Sequence, residues 1–172
     1  LISMQKKLIL VRHAAAEELT LQMADFDRKL LKKGIDDALL MGNWITHHVS
    51  EPFQIVASSA ARAKETAELI ARSLHVEEPS IVQFDELYME GIKGYLDVVN
   101  QTSEKVDHLV LVGHNPDIGF FAEYLSKANI GWMKKCSVVI LQIENLEWAA
   151  VSSNTATFIT YNYPRSVRQS LL

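Results

Sequence analysis

Four side chains in this sequence form a set that chemistry can use: Arg12, His13, Arg62 and His114. Arg12 and His13 stand together in "LILVRHA", residues 8–14, directly after a run of apolar residues. Arg62 lies in "SSAARAKETAE", residues 58–68, and His114 in "VGHNP", residues 112–116. Arginine forks match phosphate oxygens two at a time. A neutral histidine can attack phosphorus and hold it as a covalent phosphohistidine. Neighbouring arginines stabilise the extra negative charge of the transition state. They also disfavour an imidazolium, which biases the attacking ring to its neutral, nucleophilic form. Helices beginning after Ser59 and Asn115 add backbone N–H donors for an anion. This chemistry requires no metal or cofactor, and none is expected: no carboxylate cluster is evident and no Cys/His group has zinc spacing.

Such residues work only if the fold brings them together. The short apolar segments Lys7–Val11, Gln54–Ser58 and His108–Gly113 read as strands, the first and last buried on both faces. Helical spacing covers Leu30–Val49 and Ala60–Leu74, and a third helix runs over Pro116–Lys127 with Pro near its start. Strand alternating with helix predicts an α/β domain with a mostly parallel sheet. In open sheets of that kind, ligands bind beyond the carboxyl ends of the strands. Each of the three strands delivers part of the set at its exit. Further along, Ser137–Ile143 and Trp148–Val151 read as a hairpin turning at residues 144–147, and Thr155–Thr160 as a further strand or extended tail. Phe84–Asn100 reads as a loop leading into a short helix.

Composition sets the outer bounds. A chain of 172 residues, 48% hydrophobic, suits one domain with a sizeable core. We expect it to span residues 1–172, with a core over about 4–160 and a solvated tail over 161–172. A net charge of -4 gives no global pull toward nucleic acid. No apolar run approaches the roughly 18 residues of a membrane span, and "LISMQKK" is too short for a signal peptide. Cys136 is the single cysteine, so no internal disulfide forms, which fits a cytoplasmic protein. It has no partner motif and reads as structural.

The quoted motifs together resemble the histidine phosphatase superfamily, with its phosphoglycerate mutase-like fold. "LVRHA", "SSAARAKETAE" and "VGHNP" match in order and spacing, as does "DFDRKLLKKG", residues 25–34, over about residues 7–125. The short chain and the "VGHNP" form most resemble SixA-type phosphohistidine phosphatases. The resemblance implies a three-layer α/β/α sandwich. It implies His13 as the phosphorylated nucleophile, Arg12 and Arg62 as phosphate-binding arginines, and His114 as a donor to phosphate oxygens. Arg28 matches an arginine near the site in related proteins. Ser58 contacts phosphate or closes the turn; Asn115 orients His114 or starts the helix. Members that cleave phosphate esters use a carboxylic acid on the leaving oxygen. "FDELYMEG" offers Asp85, Glu86 and Glu90 for that task, with Glu86 the first choice because it precedes Leu87-Tyr88.

The implied activity is a phosphatase acting on phosphohistidine in a protein. The alternative partner is a small phosphorylated metabolite or another phosphoprotein. A different class, a non-catalytic phosphate-binding scaffold, would use the arginines but has no need of both histidines.

Overall fold

A computed structural model describes residues 5–76 and 80–171. Its elements in chain order are β1 (Gln5–Arg12), α1 (Lys32–Thr46), β2 (Phe53–Ser58), α2 (Ala61–Ser73), β3 (Val82–Phe84), α3 (Glu86–Met89), α4 (Gly91–Asn100), β4 (His108–Gly113), α5 (Asp117–Ser126), β5 (Val138–Glu144), β6 (Thr157–Asn162) and α6 (Pro164–Ser170). Single 3-10 turns occupy Asp25–Asp27 and Trp148–Ala150. The six strands form one sheet in the order β3-β2-β4-β1-β5-β6. The first four run parallel; β5 is antiparallel to β1, and β6 to β5.

β1 and β4 lie at the centre and are apolar because both of their faces are covered. Ile9, Val11, Val110 and Val112 point to one side and pack with Met41 and Ile45 of α1, Ala63, Ala67 and Ile70 of α2, and Val167 of α6. Leu8, Leu10, Leu109 and Leu111 point to the other and pack with Tyr95 and Val98 of α4 and Ile118 and Phe121 of α5. The result is a three-layer α/β/α sandwich with a mostly parallel sheet, as the motifs imply. Each fully buried Leu or Ile contributes about 1.5–3 kcal/mol relative to exposure, so the sheet centre is the stiffest platform in the chain.

Three expectations are corrected. Trp148–Ala150 is a 3-10 turn and no strand of a hairpin; β5 pairs with β6 instead. The apolar run there fills the core rather than a sheet edge. Trp148 is fully buried, and its neighbouring backbone carbonyls are satisfied by the Asn100 side chain, at 2.8 Å to Trp148 and 3.0 Å to Val151. Phe84–Asn100 holds two helices, α3 and α4, where a loop and one short helix were expected. The segment expected to be a solvated tail completes β6 and forms α6. α6 docks on α1 through buried Val167 and through Arg168, which pairs with the buried carboxylate of Asp37 at 2.5 Å.

Candidate active site

The parallel register aligns the strand exits. Arg12 pairs with Gly113, so His13 and His114 emerge side by side from neighbouring strands. Their rings lie 5.2 Å apart, centroid to centroid. Hydrogen bonds from the frame hold each exit. The backbone N–H of His13 donates to Gly113 O at 3.0 Å, and that of Cys136 to His13 O at 3.1 Å. The next residue, Ala14, donates its N–H to Thr66 Oγ1 on α2, and that hydroxyl donates to Arg62 O at 2.6 Å. Thr66 thus ties the loop after His13 to the helix carrying Arg62.

Two glycines of the motifs mark close approaches. A Cβ on Gly113 would stand 2.0 Å from Tyr95 Oη. That hydroxyl accepts the N–H of His114 at 2.8 Å, so the glycine makes room for the group that holds the histidine backbone. A Cβ on Gly34 would stand 2.1 Å from Ala15 O. The start of α1 therefore packs directly on the chain leaving His13, and Leu31 N–H donates to the same carbonyl.

Each histidine has one ring nitrogen engaged by the frame. His13 Nδ1 is 2.8 Å from the carbonyl of Ala14, which can only accept, so Nδ1 carries the proton and Nε2 presents a lone pair. Ser58 Oγ accepts the N–H of Ala60 and lies 2.8 Å from His114 Nε2. With the Ser58 hydroxyl donating to Nε2, the His114 proton sits on Nδ1, the ring nitrogen that has no partner among the described residues. In that arrangement His13 presents a lone pair at Nε2 and His114 an N–H at Nδ1. Burial, reinforced by Arg62, Arg12 and Arg28, pulls His13 down to about 3. Burial and the neighbouring His13 and Arg62 pull His114 down to about 3 as well. Both rings are neutral at pH 7.

Polar atoms without a partner in the chain collect at this site. Among the described residues, five buried side-chain N or O atoms lack one, and four belong to residues named from the sequence: Arg12 Nε, Arg62 Nε, His114 Nδ1 and Asn115 Oδ1. The first three are donors. Burying a donor unpaired costs about 1–3 kcal/mol, so a cluster of them is the signature of a ligand that accepts. An oxyanion with several oxygens is such a ligand.

The arginines are held from behind. Arg12 donates to Met133 O at 2.7 Å, and Asn115 Nδ2 donates to the same carbonyl at 2.8 Å. Asn115 thereby ties the β4 exit to the loop before β5. Arg62 donates to the carbonyl of Asp25 at 2.6 Å and to its carboxylate at 2.9 Å. Arg28 donates to the other carboxylate oxygen at 3.0 Å and to Glu17 O at 2.6 Å, which brings it into the cluster. Tyr88 Oη completes the carboxylate at 2.8 Å, and its ring meets the His114 ring edge-on at 5.4 Å. Burial pushes the Asp25 carboxyl up, but hydrogen bonds from Tyr88, Arg28 and Arg62 outweigh it and hold the group at about 2.

The three candidate acids fall apart in space and commitment. Asp85 accepts a hydrogen bond from Ser59 Oγ, and Glu90 stands 3.9 Å from Lys93. Glu86 is exposed at the head of α3, and among the described residues it is the one of the three with no hydrogen bond or ion pair to its carboxylate. The residue of that segment which reaches the cluster is Tyr88. Asp25, Tyr88, Thr66 and Tyr95 were not singled out in the sequence. Asp25 lies inside a motif quoted for its arginine, three residues before Arg28; Thr66 and Tyr95 carry only hydrogen bonds that the fold creates. Among the described residues no group of three or more His, Cys, Asp or Glu side chains could hold a metal ion.

Comparison with known proteins agrees with this geometry. The sequence profile of the histidine phosphatase superfamily (branch 1) matches residues 8–108, more than half of the chain. A Nakamurella multipartitia protein assigned as a phosphohistidine phosphatase SixA superposes with a TM-score of 0.78 at 23% identity, over 93% of this chain and 96% of that one. The protein histidine phosphatase SixA solved with tungstate superposes with a TM-score of 0.77 at 20% identity, over 92% and 97%. An uncharacterized Mycobacterium tuberculosis protein is 25% identical over 154 residues, covering 83% of this chain and 93% of its own length. The neutral histidine pair, the arginines behind it and the matched profile lead to one assignment: the chain is a phosphatase and belongs to branch 1 of the histidine phosphatase superfamily.

Proposed function

We propose that this phosphatase removes phosphate from phosphohistidine in a protein, in the manner of the SixA enzymes, without a metal. His13 Nε2 attacks phosphorus; the bond from phosphorus to the substrate imidazole breaks, and the leaving nitrogen takes a proton from solvent. His114 Nδ1–H and the Nε–H groups of Arg12 and Arg62 donate to the phosphoryl oxygens. Water then attacks phosphorus, the bond to Nε2 breaks, and phosphate leaves with His13 neutral again. Arg28 acts on phosphate from the second rank, through the carboxylate of Asp25 that it shares with Arg62.

The observation that carries the substrate assignment is the state of Asp25. Its carboxylate accepts hydrogen bonds from Arg62, Arg28 and Tyr88, which hold it ionised at about 2, so it has no proton to give near neutrality. An alkoxide needs an acid to leave; an imidazole leaves with a proton drawn from water. Ester turnover then depends on Glu86, whose uncommitted carboxyl group is the acid we assign for that slower reaction. The buried Cys136 has its thiol pushed up by burial, which makes it inert and suits a reducing cytoplasm.

The test is phosphate release from a phosphohistidine protein and from an alkyl phosphate ester such as glycerol phosphate, with His13→Ala beside the wild type. Wild type should release phosphate from the protein substrate at least a hundredfold faster than His13→Ala. Glu86→Gln should lower ester turnover and leave phosphohistidine turnover within twofold. Preference of the wild type for the ester would overturn the substrate assignment.

A further inference from the structure

The sheet topology brings a second feature to the same edge as the catalytic histidines. β5 starts opposite the end of β1, Val138 facing Val11, and β6 ends opposite the start of β5, Asn162 facing Val138. The loop before β5 and the chain after β6 therefore lie beside the exit of His13, on the side away from Tyr88. Between them and the start of α1 runs a groove of about 400 Å³.

Its walls are cationic in a protein that is acidic overall. Lys134 and Lys135 come from the loop before β5, Arg165 and Arg168 from α6, and Lys33 from α1. One carboxylate faces these five: Asp37, buried in the floor, paired with Lys33 at 2.6 Å and Arg168 at 2.5 Å. The Lys134 ammonium sits 3.6 Å from the centre of the Tyr163 ring, which leaves it outside any ion pair. Lys135 and Arg165 are exposed and have no carboxylate partner among the described residues. Like charges gathered in this way repel one another, and the net charge of -4 shows that composition does not force the gathering.

The groove borders the chain segments that leave the active site. Ala15, two residues after His13, lines it. Lys134 directly follows Met133, whose carbonyl holds Arg12 and Asn115. A segment whose phosphorylated residue enters between His13 and His114 and that continues past Ala15 and Met133 would meet this groove.

We propose that the groove is a docking surface for a carboxylate-rich segment flanking the phosphorylated residue of the protein substrate. The inference rests on the phosphohistidine reading and deepens it. Specificity is read from charge beside the phosphoryl group, while the phosphate ligands treat all substrates alike. Such steering acts mainly on KM and on association, and weakens as salt shortens the Debye length to about 8 Å at 0.15 M.

Two phosphohistidine peptides of equal length, one flanked by glutamates and one by serines, are compared with phosphoramidate as a small substrate. Wild type should use the glutamate peptide with at least fivefold higher kcat/KM at low salt. The double variant Lys135→Glu/Arg165→Glu should lose that preference and hydrolyse phosphoramidate within twofold of wild type. A wild type without preference, or a variant that keeps it, overturns the proposal. Should wild type hydrolyse para-nitrophenyl phosphate but no phosphohistidine substrate, the failure belongs to the functional reading. The groove is then decided by fluorescence anisotropy with an unphosphorylated, rhodamine-labelled glutamate peptide. Binding at low salt that the double variant loses supports docking; no binding, or equal binding by both proteins, overturns it.

Discussion

Arg62 spends both terminal nitrogens on one residue, donating to the carbonyl of Asp25 at 2.6 Å and to its carboxylate at 2.9 Å. The guanidinium is buried and its Nε–H has no partner in the chain. Asp25 thus aims the side chain and leaves Nε–H and the second N–H of each terminal nitrogen free to meet an anion. The carboxylate itself is about a third exposed, so its direct share in stability is screened; its work is orientation.

Replacing Asp25 should therefore act on binding. Asp25→Asn keeps an acceptor for Tyr88 and the arginines but loses the charge that pins them. Steady-state kinetics with a phosphohistidine substrate should show KM raised about three- to tenfold, equivalent to about 0.7–1.4 kcal/mol, with kcat within threefold. A collapse of kcat by a hundredfold or more would show that Asp25 is a proton donor after all.

Acid should affect the histidine pair late. In the folded protein both rings titrate at about 3, below the ordinary 6.5 of an unfolded chain. The unfolded chain therefore binds protons first as pH falls. The stabilisation from keeping these rings neutral is complete above pH 6.5 and is lost progressively between 6.5 and 3. NMR titration of the imidazole carbons should show His13 and His114 unprotonated at pH 5. Unfolding midpoints should fall on acidification less steeply in His114→Gln than in wild type.

Thr66→Val tests the link between the nucleophile loop and α2. The change is nearly isosteric but strands the Ala14 N–H, now bonded to Thr66 Oγ1 at 3.1 Å. An unsatisfied buried donor costs about 1–3 kcal/mol, seen as a lower midpoint in denaturant, and kcat should fall about tenfold. Thr66→Ser retains the hydroxyl and should restore most of both. Equal losses in the two variants would show that the methyl group, not the hydrogen bond, matters.

Gly113→Ala places a methyl group against Tyr95 Oη, 2.0 Å away. Tyr95 is fully buried and its neighbours in the α4–α5 layer leave it no room to retreat. Overpacking of this kind costs about 1–3 kcal/mol, and thermal unfolding should shift down by about 2–12 °C. Because the same hydroxyl holds the His114 backbone at 2.8 Å, kcat should drop as well. Thermal stability equal to wild type would show that Tyr95 can move aside.

Local sequence determined a good deal here. The apolar runs of β1, β2 and β4 specify buried strands because every residue of Leu8–Val11 and Leu109–Val112 must leave water. The basic and histidine residues that follow them break that pattern, and a polar residue at the end of a core strand stands at the sheet edge. Arg12, His13 and His114 stand out for this reason, and Arg62 stands out one step later, in the first turn of the helix that follows β2. The tertiary structure decided everything that depends on two distant segments meeting. The direction of the Trp148 run, core turn rather than strand, follows from Asn100 and Glu104 supplying the hydrogen bonds a strand partner would have given. The docking of α6 follows from Arg168 reaching a buried Asp37 that lies 131 residues earlier. Asp25 and Tyr88 join the site because the loop after β1 and the helix after β3 fold over one sheet edge. The tautomers follow from Ala14 O and Ser58 Oγ, whose partners no spacing reveals. Sequence names the groups that could bear charge; only the packing of one segment on another fixes where each proton and lone pair points.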